Sequence, residues 1–220
     1  MVDEYLSEKE QAEQLKVWLR DNWLWLMAGI VLGLGSVFGW RWWNAHQFAR
    51  SQEAELQFAA MLAALDGNKR EEGLTIAGKI TAEYTDTPYA DQALLVLARL
   101  DIESGDLEAA ASTLKKVMDS TRDSELALVA RLRLARVQLA KGSYDDALAT
   151  LAAADNPAVA ARVAELRGDV MMARGKPADA LLAYREAQSA VEQGKSGAGL
   201  VDSELLRLKI DELSANTAVE

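Results

Sequence analysis

The run from Trp23 to Trp40, WLWLMAGIVLGLGSVFGW, holds eighteen residues and no charge. As a helix rising ~1.5 Å per residue it reaches about 27 Å, close to the hydrocarbon thickness of a bilayer. Trp23 and Trp25 mark one end, and Trp40, Trp42 and Trp43 the other. Indole rings favour the headgroup boundary, being apolar with one donor to keep wet. Asp21 and Arg41 close the run on either side. A buried core helix rarely carries aromatic rims at both ends with charges just outside. A cleaved signal peptide is also a poor fit. The 22 residues before the run hold six acids and three bases, and Arg41-Trp42-Trp43 stands where cleavage needs small residues. We therefore expect an uncleaved single-pass anchor over 23–43.

Lys9, Lys16 and Arg20 precede the run, and Arg41 and Arg50 follow it. That excess of bases predicts a cytoplasmic N-terminus, with residues 1–22 as a short acidic tail. Residues 44–220 then lie across the membrane, which in a bacterium is the periplasm. Within the anchor, Gly29, Gly33 and Ser36 share one helical face, and Gly35 and Gly39 share another. Small residues at this spacing let a partner helix approach closely, although glycine is also simply common in such helices.

Beyond the membrane the chemistry narrows quickly. The chain has no cysteine and one histidine, which excludes a disulfide framework, a thiolate zinc site and a cysteine nucleophile. Residues 41–220 hold 21 bases and 28 acids, so neither nucleic acid nor an anionic lipid surface is the expected partner. Alanine (39) and leucine (32) dominate 220 residues that include three prolines, which points to helices. Residues 44–86 read as a divergent leading hairpin. Phe48, Ala49, Leu56, Ala59, Ala60 and Ala63 recur at helical steps, and Gly67-Asn68 ends the helix. A second helix carries Leu74, Ile76, Ala77 and Ile80. Thr85-Asp86-Thr87-Pro88 then breaks the pattern.

An internal repeat occupies residues 87–193. Ala98, Ala135 and Gly168 are each followed, seven residues on, by Gly105, Gly142 and Gly175. Five residues later come Ala110, Ala147 and Ala180, then Leu114, Leu151 and Tyr184, then Val117, Ala154 and Ala187. Each unit reads as two antiparallel helices joined by a turn that glycine permits. One hairpin cannot bury its apolar face alone, so the units (about 91–123, 124–157 and 158–193) should stack as a solenoid. The pattern resembles the tetratricopeptide repeat. It departs from that family early in the first helix, where Leu94, Arg131 and Ala164 replace an aromatic residue. Residues 194–220 read as a flexible loop and a capping helix, Ser203 to Leu213, started by Asp202 or Ser203, with 214–220 frayed. The fold class expected is all-α: a single N-terminal transmembrane helix followed by a tetratricopeptide-repeat-like α-solenoid.

No catalytic constellation can be assembled. Gly194-Lys195-Ser196 has the end of a phosphate loop, but Ser189 stands where its first glycine belongs, and a helix precedes it instead of a strand. Glu71-Glu72 and Asp145-Asp146 are adjacent acids that point apart on a helix. His46 has no second histidine or cysteine with which to share a metal. We expect no cofactor, no metal and no enzyme. What remains is a binding surface on the inner side of the stack, where the first helices lie. The repeat phase puts Leu95, Arg99 and Ile102 there, then Leu132, Arg136 and Leu139, then Arg162, Glu165, Asp169 and Met172. Arginine among apolar residues suits extended segments, because its N–H groups can bond backbone carbonyls.

The whole layout resembles the ancillary SecYEG translocon subunit family of bacteria. The specific part is Gly39-Trp40-Arg41-Trp42-Trp43-Asn44-Ala45-His46-Gln47, joined by Leu132-Arg133-Leu134-Ala135-Arg136-Val137-Gln138 and Glu165-Leu166-Arg167-Gly168-Asp169. That resemblance implies an inner-membrane protein of a Gram-negative bacterium with its repeats in the periplasm. It implies association with the Sec translocon channel and with a membrane-anchored chaperone of the prolyl-isomerase type, and the handing of emerging secretory proteins to periplasmic chaperones. It implies no catalytic residues. An alternative function is regulatory, the cytoplasmic tail controlling an envelope-stress response regulator.

Overall fold

A computed structural model describes residues 8–193 and 198–217, and among these there are nine α-helices, two short 3₁₀ turns and no strand. The helices are α1 (Glu8–Asp66), α2 (Arg70–Glu83), α3 (Pro88–Glu103), α4 (Leu107–Ser120), α5 (Ser124–Ala140), α6 (Tyr144–Ala152), α7 (Ala160–Ala173), α8 (Pro177–Glu192) and α9 (Ser203–Thr217). The chain divides into two compact units, residues 1–53 and 54–220.

In the first unit, α1 is long and apolar enough to cross a membrane, and its apolar window is wholly unburied. No proline or capping signal interrupts it, so the helix continues unbroken past the tryptophans at 40, 42 and 43. The Trp42 and His46 rings stack one turn apart, 5.8 Å between centroids and 7° from parallel. A Cβ placed on Gly29, Gly33, Gly35 or Gly39 would meet nothing within 4 Å. The Ser36 hydroxyl donates to the Leu32 carbonyl at 2.7 Å, which satisfies it within its own helix.

The second unit begins with the last turns of α1. Met61 packs with Ala77 and Ile80 of α2 and Ala93 of α3. Leu74, grouped with the apolar face of α2 in sequence, is 37 % exposed; Gly73 is buried instead, beside Leu65. The turn at Gly67-Asn68 ends α1 as expected. Asn68, and not Gly67, takes the left-handed conformation at φ 58°, an asparagine in the place where such turns usually carry glycine.

Gly105, Gly142 and Gly175 hold φ of 81°, 76° and 71° at the three later turns. In each, the residue after the glycine donates its N–H back five residues: Asp106 to Asp101, Ser143 to Gln138 and Lys176 to Met171, at 2.9 to 3.0 Å. This closes the first helix of each pair with its last carbonyls satisfied. The Asp106 carboxylate then caps α4 by accepting from the Ala109 N–H at 2.9 Å. The small and large helix positions of the repeat are buried, Ala110, Ala147 and Ala180 at 0 % and Leu114, Leu151 and Tyr184 at 2 % or less, while the turn glycines are exposed. Pro88, which in sequence closes the leading hairpin, opens α3, where its missing N–H costs nothing.

The C-terminal helix is longer than expected, running to Thr217. Asp202 starts it, accepting from the N–H groups of Glu204 and Leu205 at 3.0 and 3.1 Å. Loop residues 194–197 and the terminal residues 218–220 lie outside the described residues. Helix α9 buries Leu206, Ile210 and Leu213 against Leu181, Tyr184 and Ala187 of α8. It takes the place a fourth repeat would occupy.

Candidate partner-binding surface

First helices of consecutive repeats meet directly, α3 against α5 and α5 against α7. Two open cavities flank α5 on this side. One, of about 350 Å³, lies between α3, α4 and α5 and has a floor of Leu95, Ala98, Leu107 and Leu114. Ile102 is 41 % exposed at its edge. The other, of about 650 Å³, is bounded by Leu128, Val129 and Leu132 of α5, Val159, Arg162 and Leu200. Arg133 and Arg136 line both, standing on the ridge between them.

Six of the ten groove residues expected from sequence therefore gather at one surface: Leu95, Arg99 and Ile102 in the first cavity, Leu132 and Arg162 in the second, and Arg136 in both. The other four are elsewhere. Leu139 turns away, packing against the core formed by Ala135, Ala147, Leu151 and Val170. Its place is taken by Arg133, which sequence phasing missed. Arg133 sits three residues before Arg136, on the same helical face, and that spacing was the available signal.

Glu165 and Asp169 require a larger correction. Glu165 is 2 % exposed, hydrogen-bonded by Arg162 and approached at 3.2 Å by the Lys209 ammonium of α9. Asp169 accepts from Lys209 at 2.7 Å and from the Tyr184 hydroxyl at 2.7 Å. Lys209 also lies 5.2 Å from the centre of the Tyr184 ring. These acids are the seat of the capping helix, not part of an open groove. Arg162 keeps one side toward the second cavity while its guanidinium is engaged by Glu165. Met172, 41 % exposed, stands at the far end of α7 and lines neither cavity. Burial and the bond to Asp169 push the Tyr184 hydroxyl well above the ordinary tyrosine range. It therefore stays protonated, a donor to Asp169. The stability this adds is present below the ordinary tyrosine pKa and declines only as pH rises beyond it.

Arg99 is held at 3.4 Å from Glu103 on the exposed side of α3. Arg133 and Arg136 have no ion pair or hydrogen bond among the described residues. The surface thus combines apolar hollows with free guanidinium groups, and the described residues offer no cluster of His, Cys, Asp and Glu that could hold a metal.

The profile of the tetratricopeptide repeat-like domain family matches residues 16–215, which includes most of α1 as well as the hairpins. A protein of Escherichia coli (strain K12) named "Ancillary SecYEG translocon subunit" is 35 % identical over 96 % of this chain and 98 % of its own. The chain belongs to the ancillary SecYEG translocon subunit family. Proteins of the same name from Haemophilus influenzae and Neisseria gonorrhoeae are 28 % and 26 % identical, each over 98 % of its length. Family membership therefore extends over anchor and repeats alike. Among solved structures, a chain titled "MamA 41-end from Desulfovibrio magneticus RS-1" superposes with a TM-score of 0.52 at 18 % identity, covering 76 % of this chain and 96 % of that one. A chain titled "MamA RS-1 ArsTM double mutant" superposes with a TM-score of 0.52 at 19 % identity, covering 76 % of this chain and 97 % of that one. At such identity the likeness concerns the fold: an ancillary translocon subunit is built on a stacked-hairpin scaffold that occurs elsewhere.

Proposed function

We propose that this protein is a non-catalytic adaptor of the bacterial inner membrane, anchored beside the Sec translocon with its N-terminus in the cytoplasm and its repeats in the periplasm. The repeat domain binds a membrane-anchored chaperone of the prolyl-isomerase type, emerging secretory proteins, or both, and passes the latter to the chaperone network. One observation carries this reading. An unburied, tryptophan-bounded apolar helix and a stack of hairpins with an open arginine-lined face occur in a chain that aligns over 96 % of its length with a relative named for the translocon. The anchor supplies proximity, so even a weak groove is effective, because tethering raises the local concentration of its partner.

Two measurements test it. Photo-crosslinkers at positions 29 and 33 on one anchor face, and at 35 and 39 on the other, should reach translocon subunits from at least one face; silence from both would remove the translocon half of the proposal. Charge reversal at the groove, Arg99→Glu with Arg136→Glu, should cut chaperone recovery in a pull-down about ten-fold while helicity by circular dichroism is unchanged. Undiminished recovery would place the chaperone on another surface.

A further inference from the structure

We infer that the face of α5 selects segments in which carboxylate side chains lie next to aliphatic ones. The inference deepens the adaptor reading and rests on it for taking this face as the docking surface.

The argument begins with an imbalance of charge. Over residues 41–220 acids outnumber bases 28 to 21, so an arginine on this surface has many local acids available. Three bases elsewhere in the repeats are paired, Lys141 with Glu108, Arg167 with Glu186 and Arg174 with Asp145, while Arg122 and Arg131 are not paired among the described residues. What sets the two cavities apart is how few acids line them. The lining of the first includes Arg99, Arg133 and Arg136 and no acid; the second includes Arg133, Arg136 and Arg162 against Glu125 alone. Arg99 and Arg162 have acids of their own, Glu103 and Glu165. Arg133 and Arg136 do not, and they stand one turn apart on the same exposed face, where two like charges repel.

Nothing in the described fold uses these two guanidinium groups. Their neighbours define what would. Each is planar, permanently charged and able to hold a carboxylate by two parallel N–H bonds. On either side, within reach of the same ligand backbone, lie apolar hollows of about 350 and 650 Å³ floored by leucine and valine. A ligand that places a carboxylate on the ridge and aliphatic groups in the hollows satisfies both. A basic segment would meet repulsion, and a purely apolar one would leave the arginines without partners in a partly desolvated site.

The test uses the full chain in phosphatidylcholine nanodiscs and three short fluorescein-labelled peptides. All three carry leucines among serines, with glutamate, glutamine or lysine interspersed. By fluorescence anisotropy the glutamate peptide should bind about ten-fold more tightly than the glutamine one, and the lysine peptide more weakly than either. Raising the salt should shrink the preference, because these charges face solvent. In the variant Arg133→Gln with Arg136→Gln the preference should vanish, the glutamate and glutamine peptides binding alike. Equal binding of the acidic and neutral peptides overturns the inference, as does a preference that survives in the variant. A stronger response to phosphatidylglycerol vesicles would give the arginines to lipid, and self-association lost in the variant would give them to a second copy; either overturns it. The adaptor reading fails separately, through silent anchor crosslinks, whatever the peptides do.

Discussion

Replacing Gly168 with alanine should cost the repeat domain about 3 kcal/mol of stability, although alanine is the better helix former by roughly 1 kcal/mol. A Cβ at this position would fall inside contact distance of three carbons of the Tyr184 ring. That ring cannot step aside. It is 2 % exposed, its hydroxyl is bonded to Asp169, and Lys209 lies against its face. Thermal unfolding should drop by about 6–12 °C, at roughly 2–4 °C per kcal/mol for a domain of this size. Gly73→Ala is the control. There the new atom would meet Cδ2 and Cγ of Leu65 at 2.6 and 2.8 Å, in a partly exposed side chain that can turn about χ1, so the cost should be smaller.

The internal repeat says how to repair the damage. Gly168 and Tyr184 are sixteen residues apart, as are Ala98 and Leu114 in the first repeat and Ala135 and Leu151 in the second. Ala98 shares a core with Leu114 and Ala135 with Leu151, and Gly168 faces the Tyr184 ring. The third repeat has traded one methyl on the first helix for a larger ring on the second. Gly168→Ala combined with Tyr184→Leu restores the pairing of the other two. The double variant should therefore be more stable than the sum of the single ones, by about 1–2 kcal/mol of coupling. Strict additivity in denaturant unfolding would show that the ring and the glycine are not one packing unit.

This exchange was readable in the sequence, and its consequence was not. Local signals set the turns: a glycine at a fixed offset needs only its own φ, and 105, 142 and 175 all have it positive. The small and large positions followed from the same spacing and are all buried. At the turn after α1 the left-handed residue is Asn68, since asparagine can hold that conformation as well as glycine. The groove was legible in part. Leu95, Arg99 and Arg136 emerged from phase alone, but α5 is flanked by helices on two sides, so Leu139 was drawn into a core and Arg133 out to the ridge. Glu165 was beyond reach. Its burial depends on a lysine 44 residues away on a helix whose docking no local pattern encodes.

That lysine carries the second large effect. With Lys209→Met, Glu165 keeps Arg162 but loses its second cation, and Asp169 keeps only the Tyr184 hydroxyl. Removing one partner of a buried ion pair typically costs 3–5 kcal/mol, because the remaining charge stays out of water. Here the Lys209 and Asp169 side chains are about a quarter exposed, so water can enter as the lysine leaves. We expect about 2 kcal/mol, and we expect it locally. Helix α9 is held by Leu206, Ile210 and Leu213 on one side and by this lysine on another, so its loss should open the last layer before the rest. Hydrogen exchange at residues 203–217 should accelerate while α3 to α6 stay protected. Adding Glu165→Gln should recover much of the loss, since a neutral amide beside Arg162 no longer needs a second cation. Unchanged exchange in α9, or no recovery in the double variant, would mean that apolar contacts alone hold the cap. The partly buried acids of α7 would then be tolerated in the fold without anchoring it.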